Sequence, residues 1–374
     1  MNISPEDFDN LSINPAILDE KKQQTSYKIK YVSRYVYQWA LIEVNRTSIH
    51  TINFIDCMCN AGIYKDGDAC TALEVINIFN DLAKRFPQKS FVVYLNDINY
   101  DRICIFKVVL NVLVKKEPNL YIRFANVDVN ECLDSIASSP KLVRALFSYG
   151  NCTLLYVDPY NFGTVEIKKL HNILKNEYCE LLFNLFTSDY VRNIGKDSGR
   201  IQKCLGGYRP ATKEDFIEYI VRQLRVGHIK YIFSYSFHTM KNVELYQILF
   251  ATPNLRGLEV LKETLWDVFN GNEFHRNDPS PLGNTEQMCM FTVEDKKIMK
   301  INEYALEAKQ LICQAFQEKV VAYQTIEKMI LEKTMLNANQ IIRYVLRPLI
   351  NDGLVKKCGK VSKSNYKGDY YQFL

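Results

Sequence analysis

Short apolar runs, each closed by polar or acidic residues, alternate along this chain with longer stretches whose apolar residues recur every three or four positions. The runs "TINFIDC" (51–57), "SFVVYLND" (90–97), "LYIRFANVD" (120–128), "TLLYVDPY" (153–160) and "ELLFNLF" (180–186) read as buried strands. Between them, "TALEVINIFNDLAKRF" and "YDRICIFKVVLNVLVKK" carry helical spacing. Five such repeats predict a doubly wound, mainly parallel α/β sheet with helices on both faces. "IKYIFSYSFH" (229–238) and "LYQILFATPN" (245–254) follow with too few residues between them for a crossover helix. They should therefore pair antiparallel, giving an antiparallel last strand.

Two segments flank this pattern. "SYKIKYVSRYVYQWALIEV" (26–44) predicts an amphipathic helix covering a sheet edge or a ligand site. "GNEFHRNDPSPLGNTEQ" (271–287) is rich in turn residues and marks a linker. Beyond it, "YQTIEKMILEKTM" and "NANQIIRYVLRPLINDGLVKK" read as two helices with a tight turn. The basic "KKCGKVSKSNYKGD" then leads to "YYQFL", and the whole predicts a C-terminal winged helix-turn-helix. The expected organisation is a leader at 1–25, an α/β domain at 26–270, a linker at 271–300 and the winged helix at 301–374.

Composition narrows the classes. Hydrophobic residues make up 47% of the 374, enough for a packed core, and no run of eighteen apolar residues predicts a membrane span. The start, "MNISPEDFDN", is acidic and polar, unlike a secretory signal. Eleven cysteines are scattered singly apart from the CxC at Cys57 and Cys59, so reduced thiols in a cytoplasmic protein are expected, with no metal site. Charge is uneven: residues 319–374 hold ten Lys/Arg and four Asp/Glu, against 37 and 38 in the rest. A near-neutral body with a basic tail suits a body that does chemistry and a tail that meets something anionic, and on charge alone it equally suits a solvated basic face with no partner.

A ligand of an open α/β sheet sits outside the carboxyl ends of its strands. Four strands end in acids, at Asp56, Asp97, Asp128 and Asp158. Helix capping accounts for any one of them; four in succession point to a ligand crevice. The first loop, "NFIDCMCNAGIYKDG" (53–67), offers Asn60 and Gly62 for backbone close to a ligand, Asn being the non-glycine residue that best tolerates a left-handed backbone. It lacks GxGxxG, its next strand-end acid lies 41 residues after Asp56, and no GxxxxGK[ST] occurs. The pattern argues against a dinucleotide site and removes a P-loop. Asp97 suits ribose hydroxyls, and Asp128 the amino edge of an adenine. In "DPYNFG" (158–163), Asp158 can accept from an amino group, Pro159 stiffens the backbone and Tyr160 can stack on a flat substrate. Holding a nitrogen lone pair in line is what methyl transfer to nitrogen needs. "TSDY" (187–190) could wall the same pocket.

These residues resemble a known family. "FIDCMCNAGIY", "YVDPYNFG", "SYKIKYVSRYVYQW" and "YQILFATPNLRGLEVLKETLWDVF" (246–269) are similar to motifs of the TcmP-type, three-Cys-motif partner proteins. The likeness spans roughly residues 26–270. It implies a class I methyltransferase fold that binds S-adenosylmethionine, a C-terminal winged helix, and a partner protein bearing a three-cysteine motif. Asp56, Gly62 and Tyr64 then fall on the cofactor loop, and Asp158, Pro159 and Tyr160 on the catalytic motif. Where the family has FAGxG, this chain has MCNAG, so Asn60 stands for the first glycine.

Two further classes compete. A degenerate, non-catalytic fold would leave the basic winged helix as the functional part. Asn339, Gln340, Arg343 and Arg347 fall on one polar helical face, and Lys360, Lys363 and Lys367 on the wing, as residues that read bases and hold phosphates; the alternative is a winged helix that packs on the body or mediates dimer contacts. A metal-dependent nuclease would use the strand-end acids, but they sit one per strand with no lysine beside them in sequence.

Overall fold

The computed structural model describes residues 2–194, 196, 198–238, 244–269, 292–359 and 369–374. These divide at Asn254/Leu255 into two compact units.

The first unit is built on a seven-stranded sheet: β1 (Thr51–Asp56), β2 (Ser90–Asn96), β3 (Leu120–Ala125), β4 (Asn151–Val157), β5 (Cys179–Leu185), β6 (Tyr231–His238) and β7 (Glu244–Thr252). Their order is β3-β2-β1-β4-β5-β7-β6. β1 and β4 run parallel, but the strand order switches sides between them, β2 and β3 lying beyond β1 and β5 beyond β4, and this opens a crevice above their carboxyl ends. β7 runs antiparallel to both β5 and β6, as the short connection before it requires. A mainly parallel sheet in this order, with β7 reversed, is the class I methyltransferase fold.

The all-apolar reading of the central strands follows from coverage on both faces. On one face Phe54 of β1 meets Phe79 of α2 (Thr71–Arg85) edge to face, and Tyr35 of α1 (Gln23–Val44) packs against Phe250 of β7. On the other, Ile55, Leu155 and Phe183 share a core with α4 (Val129–Ser138), α6 (Ile167–Leu174) and α9 (Lys213–Leu224). Between these lie α3 (Tyr100–Leu113), α5 (Pro140–Phe147), α7 (Thr187–Asn193) and α8 (Ser198–Leu205). Edge strand β3 differs: only alternate residues point inward, leaving Tyr121, Arg123 and Ala125 exposed. The leader packs into this unit, burying Ile3, Phe8, Ile13 and Leu18. Seven of the ten described cysteines are buried and none is bridged.

The second unit holds α10 (Leu255–Phe269), α11 (Val293–Phe316), α12 (Tyr323–Lys333), a last helical segment and a three-stranded antiparallel sheet. That sheet comprises β8 (Val320–Ala322), β9 (Val355–Cys358) and β10 (Tyr370–Phe373), in the order β8-β10-β9. The boundary expected at residue 270 lies one helix later than the division at Asn254/Leu255. The reason is chemical: α10 turns Lys262 and Trp266 into the second unit, onto the carbonyls of Thr334 and Met335. The last helical segment starts as α13 (Ala338–Gln340), widens to a π-helix at Ile341–Leu346 and closes as α14 (Arg347–Asn351). Pro348 explains the widening, since its ring collides with the carbonyl four residues back and it has no N–H to donate. Among the described residues no helix is long and apolar enough to cross a membrane.

Candidate active site

A cavity of about 560 Å³ lies at the carboxyl ends of β1 and β4. Asp56, Asp158, Pro159 and Tyr160 line it from the strand ends, and Tyr64, Tyr156, Phe186 and Tyr246 give it aromatic walls. The leader and α1 close it with Asp19, Thr25 and Lys28.

The β1 loop is held by its own hydrogen bonds. Asp56 is buried, and its Oδ1 accepts the Met58 N–H at 3.0 Å. Burial, with smaller contributions from Asp158 and Asp97, pushes its carboxyl up to about 7 against the Met58 hydrogen bond. Asn60 takes φ +63°, the left-handed backbone expected of it, and its side-chain amide donates to Asp19 at 2.8 Å. Gly62 has φ +87°, and a Cβ there would stand 2.7 Å from the Phe106 ring, so the position excludes a side chain twice over.

Two expected cofactor acids take other work. Asp97 is buried with Oδ2 accepting the Asn60 N–H (3.1 Å) and Oδ1 the Asn99 N–H (2.8 Å). It ties the β1 loop to the start of α3 and does not line the cavity. Asp128 caps α4, accepting from the Asn130 N–H at 2.8 Å, and also stands off the cavity. Tight loops and helix starts leave amides that need acceptors, and these two carboxylates supply them.

Asp158 is gripped from both sides. Its Oδ2 pairs with the Lys28 ammonium and its Oδ1 accepts from Asn184 Nδ2 at 2.8 Å. Asn184 in turn accepts from the Tyr31 hydroxyl at 3.0 Å. Lys28 and Tyr31 lie three residues apart and so share one face of α1. Tyr160 stands exposed at the cavity edge, its hydroxyl bonded to Arg102 and its ring under that guanidinium at 5.8 Å. Arg102 continues to Asp19 at 2.8 Å.

The rest of "DPYNFG" is an anchor. Asn161 accepts from Gly163 and Thr164, while the Phe162 ring is buried against Tyr190 and Phe216. A Cβ on Gly163 would collide with Arg200, which lies over the Phe162 ring. From "TSDY", Asp189 accepts the Phe162 N–H at 3.3 Å and Thr187 bonds Glu244 at 2.5 Å. That segment braces the acceptor loop, and its neighbour Phe186 does the walling.

Sequence reasoning missed Lys28, Asn184, Arg102 and Asp19. The signal for Lys28 was present, in the helical phase it shares with Tyr31 and Tyr35. Against the sequence expectation of no lysine beside the strand-end acids, Lys28 of α1 pairs with Asp158. For Asp19 and Arg102 no spacing could have shown their meeting.

In the second unit, Asn339, Arg343 and Arg347 are exposed on one side of the last helical segment. Gln340 is not among them: it is buried, its Oε1 accepting the Asn337 N–H at 3.0 Å while Asn337 accepts from its own N–H. This reciprocal cap consumes the side chain that had been expected to read bases. Lys360, Lys363 and Lys367 lie outside the described residues.

No family model and no curated protein matches the chain. Solved structures do. One is a Listeria monocytogenes protein assigned to the class I S-adenosylmethionine-dependent methyltransferases (9% identity, TM-score 0.34, 60% of each chain covered). Another is a Legionella pneumophila protein of the DUF519 family (11%, TM-score 0.37, 65% of this chain and 92% of that). A third is magnesium protoporphyrin IX methyltransferase from Synechocystis with bound SAH (11%, TM-score 0.31, 66% and 97%). The chain spans 60% of the Listeria protein's length. At these TM-scores the likenesses carry no argument, and function has to be read from this chain's own residues.

Proposed function

We propose that the first unit is an S-adenosylmethionine-dependent methyltransferase acting on a nitrogen of a nucleic acid base or of a partner protein, in the manner of the TcmP-type family. The observation that carries the reading is one aromatic-walled cavity receiving both the Asp56 loop and Asp158-Pro159-Tyr160.

The donor set fits the cofactor. Its volume falls within the roughly 300–1,000 Å³ usual for small-molecule sites. Asp56 and the rings of Tyr64, Tyr156 and Tyr246 suit a sulfonium and an ammonium, and Lys22 and Lys65, which line the same cavity, suit a carboxylate. When bound, the cofactor supplies an electrophilic methyl group.

The chain's own residues do the positioning. Lys28 and Asn184 each occupy one site on the Asp158 carboxylate, which has about four lone-pair sites, so it can still accept an acceptor N–H. Fixed on both sides, Asp158 turns the nitrogen lone pair into the cavity. Tyr160, held by Arg102, offers a ring on which a flat acceptor stacks. The N-methylation is tested by transfer from labelled cofactor to single-stranded DNA, RNA and candidate proteins, with Asp158→Ala as the variant. Transfer lost with cofactor binding kept supports the role; undiminished transfer removes it.

The second unit favours a nucleic acid as the presented acceptor. We read its helices and three-stranded sheet as a winged helix, with Asn339, Arg343 and Arg347 exposed in a row along the recognition helix. A three-cysteine-motif partner could present the acceptor instead. Gel shifts across salt separate the two, because phosphate binding weakens steeply with salt.

A further inference from the structure

A second cavity, of about 600 Å³, adjoins Asp56, which among the described residues is the only one that lines both cavities. It exists because the sheet's second face is incompletely covered at its β3 edge. Helices α4 and α5 pack over the centre of the sheet, while Arg123 and Ala125 of β3 remain exposed beside them.

The lining is mostly apolar at depth, and its buried Asn96 is spent on the backbones of Cys57 and Val127. Ile55, Cys132, Ile136 and Leu146 belong to the buried core and form the floor. Tyr94, Phe124 and Leu142 make the walls, with little polar surface among them. The two cations of the lining, Arg123 and Lys141, are both exposed, so they sit at the mouth. Arg123 lies close enough to Tyr94 to act on its hydroxyl. Neither cation has an acidic partner among the described residues. The nearest carboxyl in the lining, Asp56, is buried at the back and bonded to the Met58 N–H.

An apolar groove with two unpaired cations at its mouth is complementary to one class of small molecule, a monoanion with an apolar body. We propose that this groove is a binding site for an amphiphilic carboxylate, its hydrocarbon on the α4/α5 floor and its anion between Arg123 and Lys141. A neutral chain would gain the floor and forgo the mouth; a cationic one would be repelled there. The site is independent of the methyl-transfer reading, since the two cavities share no residue but Asp56.

The test is a calorimetric titration of the full chain with decanoate and with 1-decanol. Decanoate should bind one to one and weaken at least tenfold in Arg123→Ala/Lys141→Ala, two exposed positions whose loss leaves the core intact. 1-Decanol should bind the native protein and the double variant alike. Ala145→Trp, on the exposed rim of α5, should fill the groove and abolish both, with an unchanged circular dichroism spectrum. The absence of decanoate binding, or binding undiminished in the double variant and in Ala145→Trp, would overturn the proposal. S-adenosylmethionine titrated against Ala145→Trp should bind as to the native protein, which keeps failure here distinct from failure at the first cavity.

Discussion

Lys28 and Asp158, 130 residues apart in the chain, form an ion pair at the edge of the first cavity. Both side chains keep a little exposure, 16% and 18%, so the pair is neither a solvated surface contact nor a dry one. It joins the helix before the sheet to the strand end that carries the acceptor motif.

Removing one partner should therefore be felt in stability. A fully buried pair broken on one side loses about 3–5 kcal/mol, and partial solvation lowers this to about 2 kcal/mol for Lys28→Met. Urea unfolding of Lys28→Met, Asp158→Asn and the double variant should give a coupling of about 1 kcal/mol or more. Additive losses would mean that the two side chains act separately.

Asp158→Asn should keep cofactor binding and lose about 10²-fold or more in transfer, the scale of a positioned catalytic group. Lys28→Met should lose transfer too, with the acceptor's KM rising because the carboxylate is no longer oriented. Initial-rate kinetics with each substrate varied in turn check this.

Gly62→Ala should destabilise by about 2 kcal/mol or more, from a left-handed backbone and a clash with Phe106. Asn60→Gly should change stability by only a few tenths of a kcal/mol through the backbone, since glycine accepts the same φ. Its measurable loss should be the tie to Asp19, read as faster amide exchange in the leader.

The Asp56 carboxyl, raised from 3.8 to about 7, gives a pH dependence with a definite sign. The folded state holds the proton more tightly than the unfolded chain. Its contribution to stability is thus complete below pH 4 and lost as pH rises to 7, by at most about 4 kcal/mol. Buried Glu180, between Tyr35 and Thr252 and also raised to about 7, acts in the same direction. Asp56→Asn should remove part of the decline in urea stability between pH 4.5 and 7.5, and Glu180→Gln much of the remainder. For a cationic ligand the sign reverses: affinity should rise as Asp56 ionises through pH 7, and Asp56→Asn should flatten that rise.

The sheet was legible in the sequence because strands buried on both faces must be apolar throughout, and their spacing sets the connections. β7 is the clearest instance, since a connection too short for a helix leaves only the antiparallel choice. The crevice was legible as a row of strand-end acids, but not which acids face it. Asp97 and Asp128 looked like Asp56 and Asp158 in sequence, yet nearby amides claim them. Gln340 was misplaced for a similar reason: helical phase puts it near Asn339 and Arg343, but at the third helical position its side chain turns back to cap. Partners from distant segments, such as Asp19 on Arg102, leave no local pattern.

Whether the first cavity binds S-adenosylmethionine is decided by calorimetric titration of the purified chain. S-adenosylmethionine and its demethylated product should bind one to one and NAD not at all, and both should be lost in Thr25→Trp, which fills the cavity from a half-exposed position on α1. No binding to the native protein, or binding that Thr25→Trp leaves unchanged, would contradict a cofactor site there.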